Sequence, residues 1–160
     1  MELVIRQSDF MGHRANFVII RDNAAGVYYD QWAALGCIYG FAVGPTEAVN
    51  ALAGMEETNE LMDWALAEGG YLLDFDRKVA ICFGEPFDES ESADEESVFA
   101  QGPLAFLEHI APAWRGWKLV WDERGVDAFA AYLKARNINS IRTQAESHPP
   151  ETAPPVSFQA

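Results

Sequence analysis

The chain has 160 residues, 49% of them hydrophobic, and carries 25 acidic against 11 basic side chains, for a net charge of −14. Length and apolar content fit one globular domain with a full core and exclude a disordered chain. The charge repels phosphate backbones and anionic headgroups, which argues against nucleic acid and membrane surfaces as partners, although acidity also serves solubility alone.

Residues 2–7 and 16–22 are dense in β-branched and aromatic side chains and predict two strands. Turn chemistry at 22–26 is followed by a return of the extended pattern over 27–32, so the opening reads as an antiparallel meander. An exposed edge of these first strands could pair two copies. Glycines at 36, 40 and 44 interrupt residues 33–43, which read as a bulged strand or a packed loop. Pro45 after Gly44 opens a short helix to Ala53 with Ala48, Val49 and Leu52 in one stripe. Thr58 or Asn59 caps a second helix, in which Leu61, Met62, Ala65 and Leu66 recur at helical spacing and which Gly69 and Gly70 end. These two helices are expected to form a hairpin.

From Tyr71 the period changes to two, and 71–83 predicts a β-hairpin with its tip near Asp76. Residues 87–97 are rich in serine and acid and read as a mobile loop through self-repulsion. Gly102-Pro103 opens a helix carrying Leu104, Leu107, Ile110 and Ala111 on one face and stopping near Pro112. Trp117, Leu119 and Trp121 alternate along a strand, and Val126, Phe129, Ala130 and Leu133 mark a last helix ending around Arg136. Prolines at 149, 150, 154 and 155 predict a flexible, Pro-rich tail over 139–160 after a single domain over 1–138. The order of elements is not the regular alternation of a doubly wound sheet. It predicts an α+β fold, a mainly antiparallel sheet with helices packed on one face.

The residues offer little chemistry. No serine lies in a nucleophile elbow, no cysteine or histidine spacing resembles a zinc site, and no glycine pattern matches a P-loop or a dinucleotide fingerprint. No catalytic residue, metal or cofactor is therefore assigned. Cys37 and Cys82 sit in apolar surroundings and are expected to be buried free thiols, consistent with a reducing compartment. The N-terminus lacks the pattern of a signal peptide and no apolar run is long enough to span a membrane, so a cytoplasmic location is expected. His109 is expected at the surface or its boundary and His13 in a turn, while His148 falls in the tail. Asp74 and Asp76 put two carboxylates at a strand end or turn, where they could meet a cation or a ligand, or form a solvated hairpin tip beside Arg77. Tyrosine and tryptophan make good interface anchors, and Tyr28, Asp30 and Trp32 are expected to be partly exposed. At least half of the aromatic residues in the segments around Trp32 and Trp117 should be core.

Val27-Tyr28-Tyr29-Asp30-Gln31-Trp32, Trp64-Ala65-Leu66-Ala67-Glu68-Gly69-Gly70, Leu73-Asp74-Phe75-Asp76-Arg77 and Trp114-Arg115-Gly116-Trp117 resemble phrases of small bacterial proteins. Acidic proteins of this appearance are similar to the immunity partners of bacterial polymorphic toxins. The resemblance covers about residues 16–136 and implies a fold and a binding role, with no catalytic residues to carry over. The expectation is a protein-binding module that blocks a cationic toxin such as a nuclease. Tyr28, Asp30, Trp32, Asp74, Asp76, Asp88, Glu89, Glu91, Asp94, Glu95 and Glu96 are expected at its partner interface, with a homodimer open. Two alternatives stand beside it. One is a small enzyme or ligand-binding domain using Asp74, Asp76 and His109, and the other an adaptor with no toxin partner.

Overall fold

A computed structural model describes residues 14–30, 37–61, 69–84, 101–143 and 153–160. The expected strand at 2–7, the part of the expected second helix over 62–68 and the expected acidic loop at 87–97 lie outside the described residues. Among those described, the strands β1 (Ala15–Arg21), β2 (Ala24–Asp30), β3 (Glu56–Thr58), β5 (Gly69–Asp74), β6 (Val79–Phe83), β7 (Lys118–Trp121) and β9 (Val156–Gln159) form one sheet. Their order is β3-β2-β1-β5-β6-β7-β9. β4 (Glu60–Leu61) and β8 (Arg142–Thr143) pair separately, in parallel. The helices are α1 (Cys37–Ala42), α2 (Pro45–Asn50), α3 (Pro103–Ile110), which runs on into a 3₁₀ turn over Ala111–Trp114, and α4 (Val126–Ala135).

The sheet is mixed, which corrects the expectation of a mainly antiparallel one. β1 runs parallel to β5 and β6 parallel to β7, while the other neighbours are antiparallel. Nor do the helices keep to one face. Alternation sends Phe17, Tyr71, Leu73, Ala80, Cys82, Leu119 and Trp121 to one side, where they meet Cys37, Ile38 and Phe41 of α1, Ala48 of α2 and Phe106, Leu107 and Ile110 of α3. Val18, Ile20, Val27, Leu72, Ile81 and Phe83 point the other way and bury Val126, Phe129 and Leu133 of α4. A sheet whose central strands are apolar on both faces needs cover on both.

The β1–β2 hairpin, the β5–β6 hairpin, β7 and helices α2, α3 and α4 fall where hydrophobic period and punctuation predict them. Residues 37–42, read as strand or loop, are instead helix α1. Glycine is a poor helix former, but Cys37, Ile38 and Phe41 recur at helical spacing and their burial outweighs that deficit. A Cβ on Gly40 would meet that of Ala51, just past α2, at 3.6 Å, an ordinary contact. The helix expected from Thr58 does not begin there, because Glu56–Thr58 pairs with β2 and Glu60–Leu61 with β8; Gly69 and Gly70 open β5.

The expected flexible tail is also revised for residues 153–160. β9 closes the sheet against β7, and Val156, Phe158 and Ala160 pack on the core of the three-helix face. An edge strand needs one partner only, and proline immediately before it removes no ladder bond. Trp114, Trp117 and Trp121 are all buried. Trp114 stacks near Phe41 and donates its indole N–H to the Phe41 carbonyl at 3.0 Å. Helix α4 ends in a Schellman motif on Asn137, which adopts φ +59° so that the Ile138 amide reaches the Leu133 carbonyl at 2.9 Å.

Candidate functional site

Two regions collect the polar residues of interest, and they differ in what they offer a partner. The first joins the tips of both hairpins to the end of α4. Asp22 and Asn23 both take left-handed φ, 53° and 60°, in a two-residue turn between the paired Arg21 and Ala24, as a type I′ hairpin requires. Their amides point at the other hairpin. Asp22 N–H donates to Asp76 Oδ1 at 2.8 Å and Asn23 N–H to Asp76 Oδ2 at 2.9 Å. These two amides, with Arg136 behind them, hold the Asp76 carboxyl below its ordinary value.

Asp74, two residues back, points into the interior. Its Oδ1 accepts the Asp76 and Arg77 amides at 3.0 and 3.2 Å, which shapes the tip as an Asx turn. Its Oδ2 accepts the Tyr132 hydroxyl at 2.5 Å and Nη1 of Arg136. Arg136 then spreads Nη2 between Asn23 Oδ1 at 2.7 Å and Asp76 Oδ2 at 3.2 Å. The Arg136 and Asp74 side chains are 3% and 0% exposed, so this ion pair lies out of water. Burial, then the bond to Asp74, raises the Tyr132 hydroxyl above its ordinary value. The Arg21 guanidinium over the Phe75 ring at 4.3 Å and the Phe75 amide on the Ile20 carbonyl at 2.9 Å complete the join.

This network holds the fold and presents no Asp74 surface. The expectation that Asp74 faces a partner or a ligand is corrected: with its carboxylate enclosed by four donors it has nothing left to offer either. Asp76 is exposed at the tip, yet both of its oxygens are engaged. Sequence reading missed Tyr132, Arg136 and Asn23. The four-residue spacing of Tyr132 on α4 and Arg136 at its C-cap, which aims both side chains the same way, was the available signal.

The second region is the β2–β3 edge of the sheet. Tyr28, Tyr29 and Asp30 are half-buried on β2, in line with the partial exposure expected of Tyr28 and Asp30. β3 runs beside them with Glu57 opposite Tyr28 and Glu56 opposite Tyr29, both glutamates exposed. Glu57 Oε1 and the Tyr28 hydroxyl crowd the same space, 3.4 and 3.6 Å from where a side chain on Gly26 would begin. Neither glutamate makes an ion pair with a described residue. The glutamates of β3 were not foreseen, because a three-residue strand carries no readable period.

Trp32 and the acidic residues Asp88, Glu89, Glu91, Asp94, Glu95 and Glu96 lie outside the described residues, as do His13 and His148. His109 is exposed on the last turn of α3. Burial pushes the Cys37 thiol up to about 12 and the Cys82 thiol well above its ordinary value, so neither supplies a thiolate nucleophile near neutral pH. Among the described residues no group of three or more His, Cys, Asp or Glu side chains is placed to hold a metal ion, and no helix is long and apolar enough to cross a membrane. An open depression of about 360 Å³ lies beside the end of α4, lined by Leu133, Lys134, Ile138 and Ile141 among others, with no carboxylate, imidazole, hydroxyl or thiol among its described lining. No protein-family model, curated protein or solved structure matches the chain.

Proposed function

We propose that the chain is a protein-binding module that receives a basic partner domain on its acidic β2–β3 edge, in the manner of an immunity protein that blocks a cationic toxin such as a nuclease. The observation that carries this reading is the pairing of exposed Glu56 and Glu57 with half-buried Tyr29 and Tyr28 across one sheet edge. The carboxylates, within the field of a chain of net charge −14, draw in a cationic surface and speed encounter at low salt. The tyrosines add contact area at small cost in side-chain entropy and slow dissociation. An adaptor with another basic partner would bind by the same physics; a toxin partner is distinguished by loss of its activity in the complex.

The test is co-purification from the native host with tagged wild type and with E56K/E57K, at low and high salt, with mass spectrometry of what is retained. A basic protein that is held by wild type at low salt, released by high salt and absent from the variant supports the reading. A partner retained equally by both forms removes the edge from it.

A further inference from the structure

Among the described residues the sheet ends on two unlike edges. β3 carries Glu56 and Glu57, whose charges oppose strand addition by a second copy of an acidic chain. β9, at the other end, carries no charged side chain: Val156, Ser157, Phe158 and Gln159 are followed by Ala160.

The backbone of β9 is also half-used. The Ala160 amide donates to the Trp117 carbonyl at 2.9 Å, and Phe158 stands opposite Leu119 in the same ladder. Antiparallel ladders alternate bonded and non-bonded pairs, so Val156, Phe158 and Ala160 turn their N–H and C=O groups toward β7. Ser157 and Gln159 turn theirs away, and these backbone groups make no bond with a described residue. Both residues are exposed, whereas Val156, Phe158 and Ala160 are half-buried on the core.

We propose that this edge pairs with the same edge of a second copy, antiparallel, about a two-fold axis at Phe158. The strand matches its own reverse. In that register Ser157 of each copy lies opposite Gln159 of the other, and each such pair exchanges two N–H···O=C bonds. Phe158 meets its symmetry mate in a non-bonded pair, where side chains approach most closely, and Val156 faces Ala160. No charged side chain is brought against another, so two chains of net charge −14 meet on the one of these two edges whose strand bears no charged side chain. The contact is short and belongs to the weak, concentration-dependent class of association.

Sedimentation equilibrium of the purified chain, over a concentration series reaching about 1 mM, tests this. The mass is expected to climb toward that of a dimer, and to do so at high salt and in E56K/E57K as well, which separates the outcome from the partner reading above. S157P removes an outward amide that takes no part in the β7–β9 ladder. It is expected to keep the thermal midpoint of the wild type and remain monomeric at every concentration. S157E, which sets a carboxylate at each bonded pair, is expected to be monomeric too. A wild-type chain that stays monomeric throughout, or dimers undiminished in both S157P and S157E, would overturn the proposal.

Discussion

The guanidinium of Arg136, one residue beyond α4, closes on the carboxylate of Asp74 at the end of β5, and both are out of contact with water. Removing one partner from such a pair leaves an uncompensated buried charge, which costs more than the pair contributes. Arg136→Met is therefore expected to lower the unfolding free energy by about 3–5 kcal/mol in urea titration. Asp74→Asn in the Arg136→Met background should recover part of that loss, a coupling read from the double-mutant cycle. A cost below about 1 kcal/mol for Arg136→Met would show that the network is incidental to the fold.

Asp76 links stability to pH. Its carboxyl is held below 3.8 by the Asn23 and Asp22 amides and Arg136. Folding then favours the deprotonated form, so the stabilisation is complete above the unfolded value and drains away as pH falls through the folded one. The thermal midpoints of wild type and Asp76→Asn are expected to differ by a constant amount from neutral pH down to about 4 and to converge below it. A gap that persists unchanged into strong acid would assign the stabilisation to something other than this carboxylate.

Gly70 tolerates no side chain. Its φ is +152°, and a Cβ there would stand 1.9 Å from the backbone oxygen of Asn16, across the parallel β1–β5 pair. Gly70→Ala is expected to destabilise the fold by about 3 kcal/mol or more, since strain and overpacking act together. Gly54→Ala is the control: its φ is also positive, at +85°, but a Cβ meets nothing within 4 Å. It should cost only the backbone strain, about 1–2 kcal/mol.

Both thiols should be silent in the native state. With Cys37 and Cys82 buried and held protonated, an aromatic disulfide reagent at pH 8 is expected to titrate neither until denaturant is added, and then to titrate two per chain. Rapid native labelling of either would place that thiol at the surface.

What could be read from the sequence follows the range over which each signal acts. β1, β5, β6, β7, α3 and α4 declare themselves through four to ten residues of period and a nearby turn or cap. Three-residue β3 and two-residue β4 have no period of their own, and their pairing depends on residues far along the chain. α1 was hidden by glycine, whose cost to a helix is local while the burial of Cys37, Ile38 and Phe41 that outweighs it is tertiary. β9 was hidden behind prolines that look like a tail. In the polar network, Asp74 and Asp76 stood out as a pair, but the partner that decides their role sits 62 residues away from Asp74 and gives no local sign.

Those separations shape how the protein reaches its fold. Asp76 meets the first hairpin's turn across 54 positions, and Arg136 meets Asp74 across 62. Each hairpin can form by itself in microseconds, but the groups at its tip stay hydrated until distant parts of the chain arrive. A nascent chain emerging only as far as β6 has its two tips ready and nothing to neutralise Asp74. The closing of α4 over the sheet is thus the event that commits all three pieces together. Folding is expected to be all-or-none and slow for this length, and proteolytic cutting anywhere between β6 and Arg136 should release no stable half.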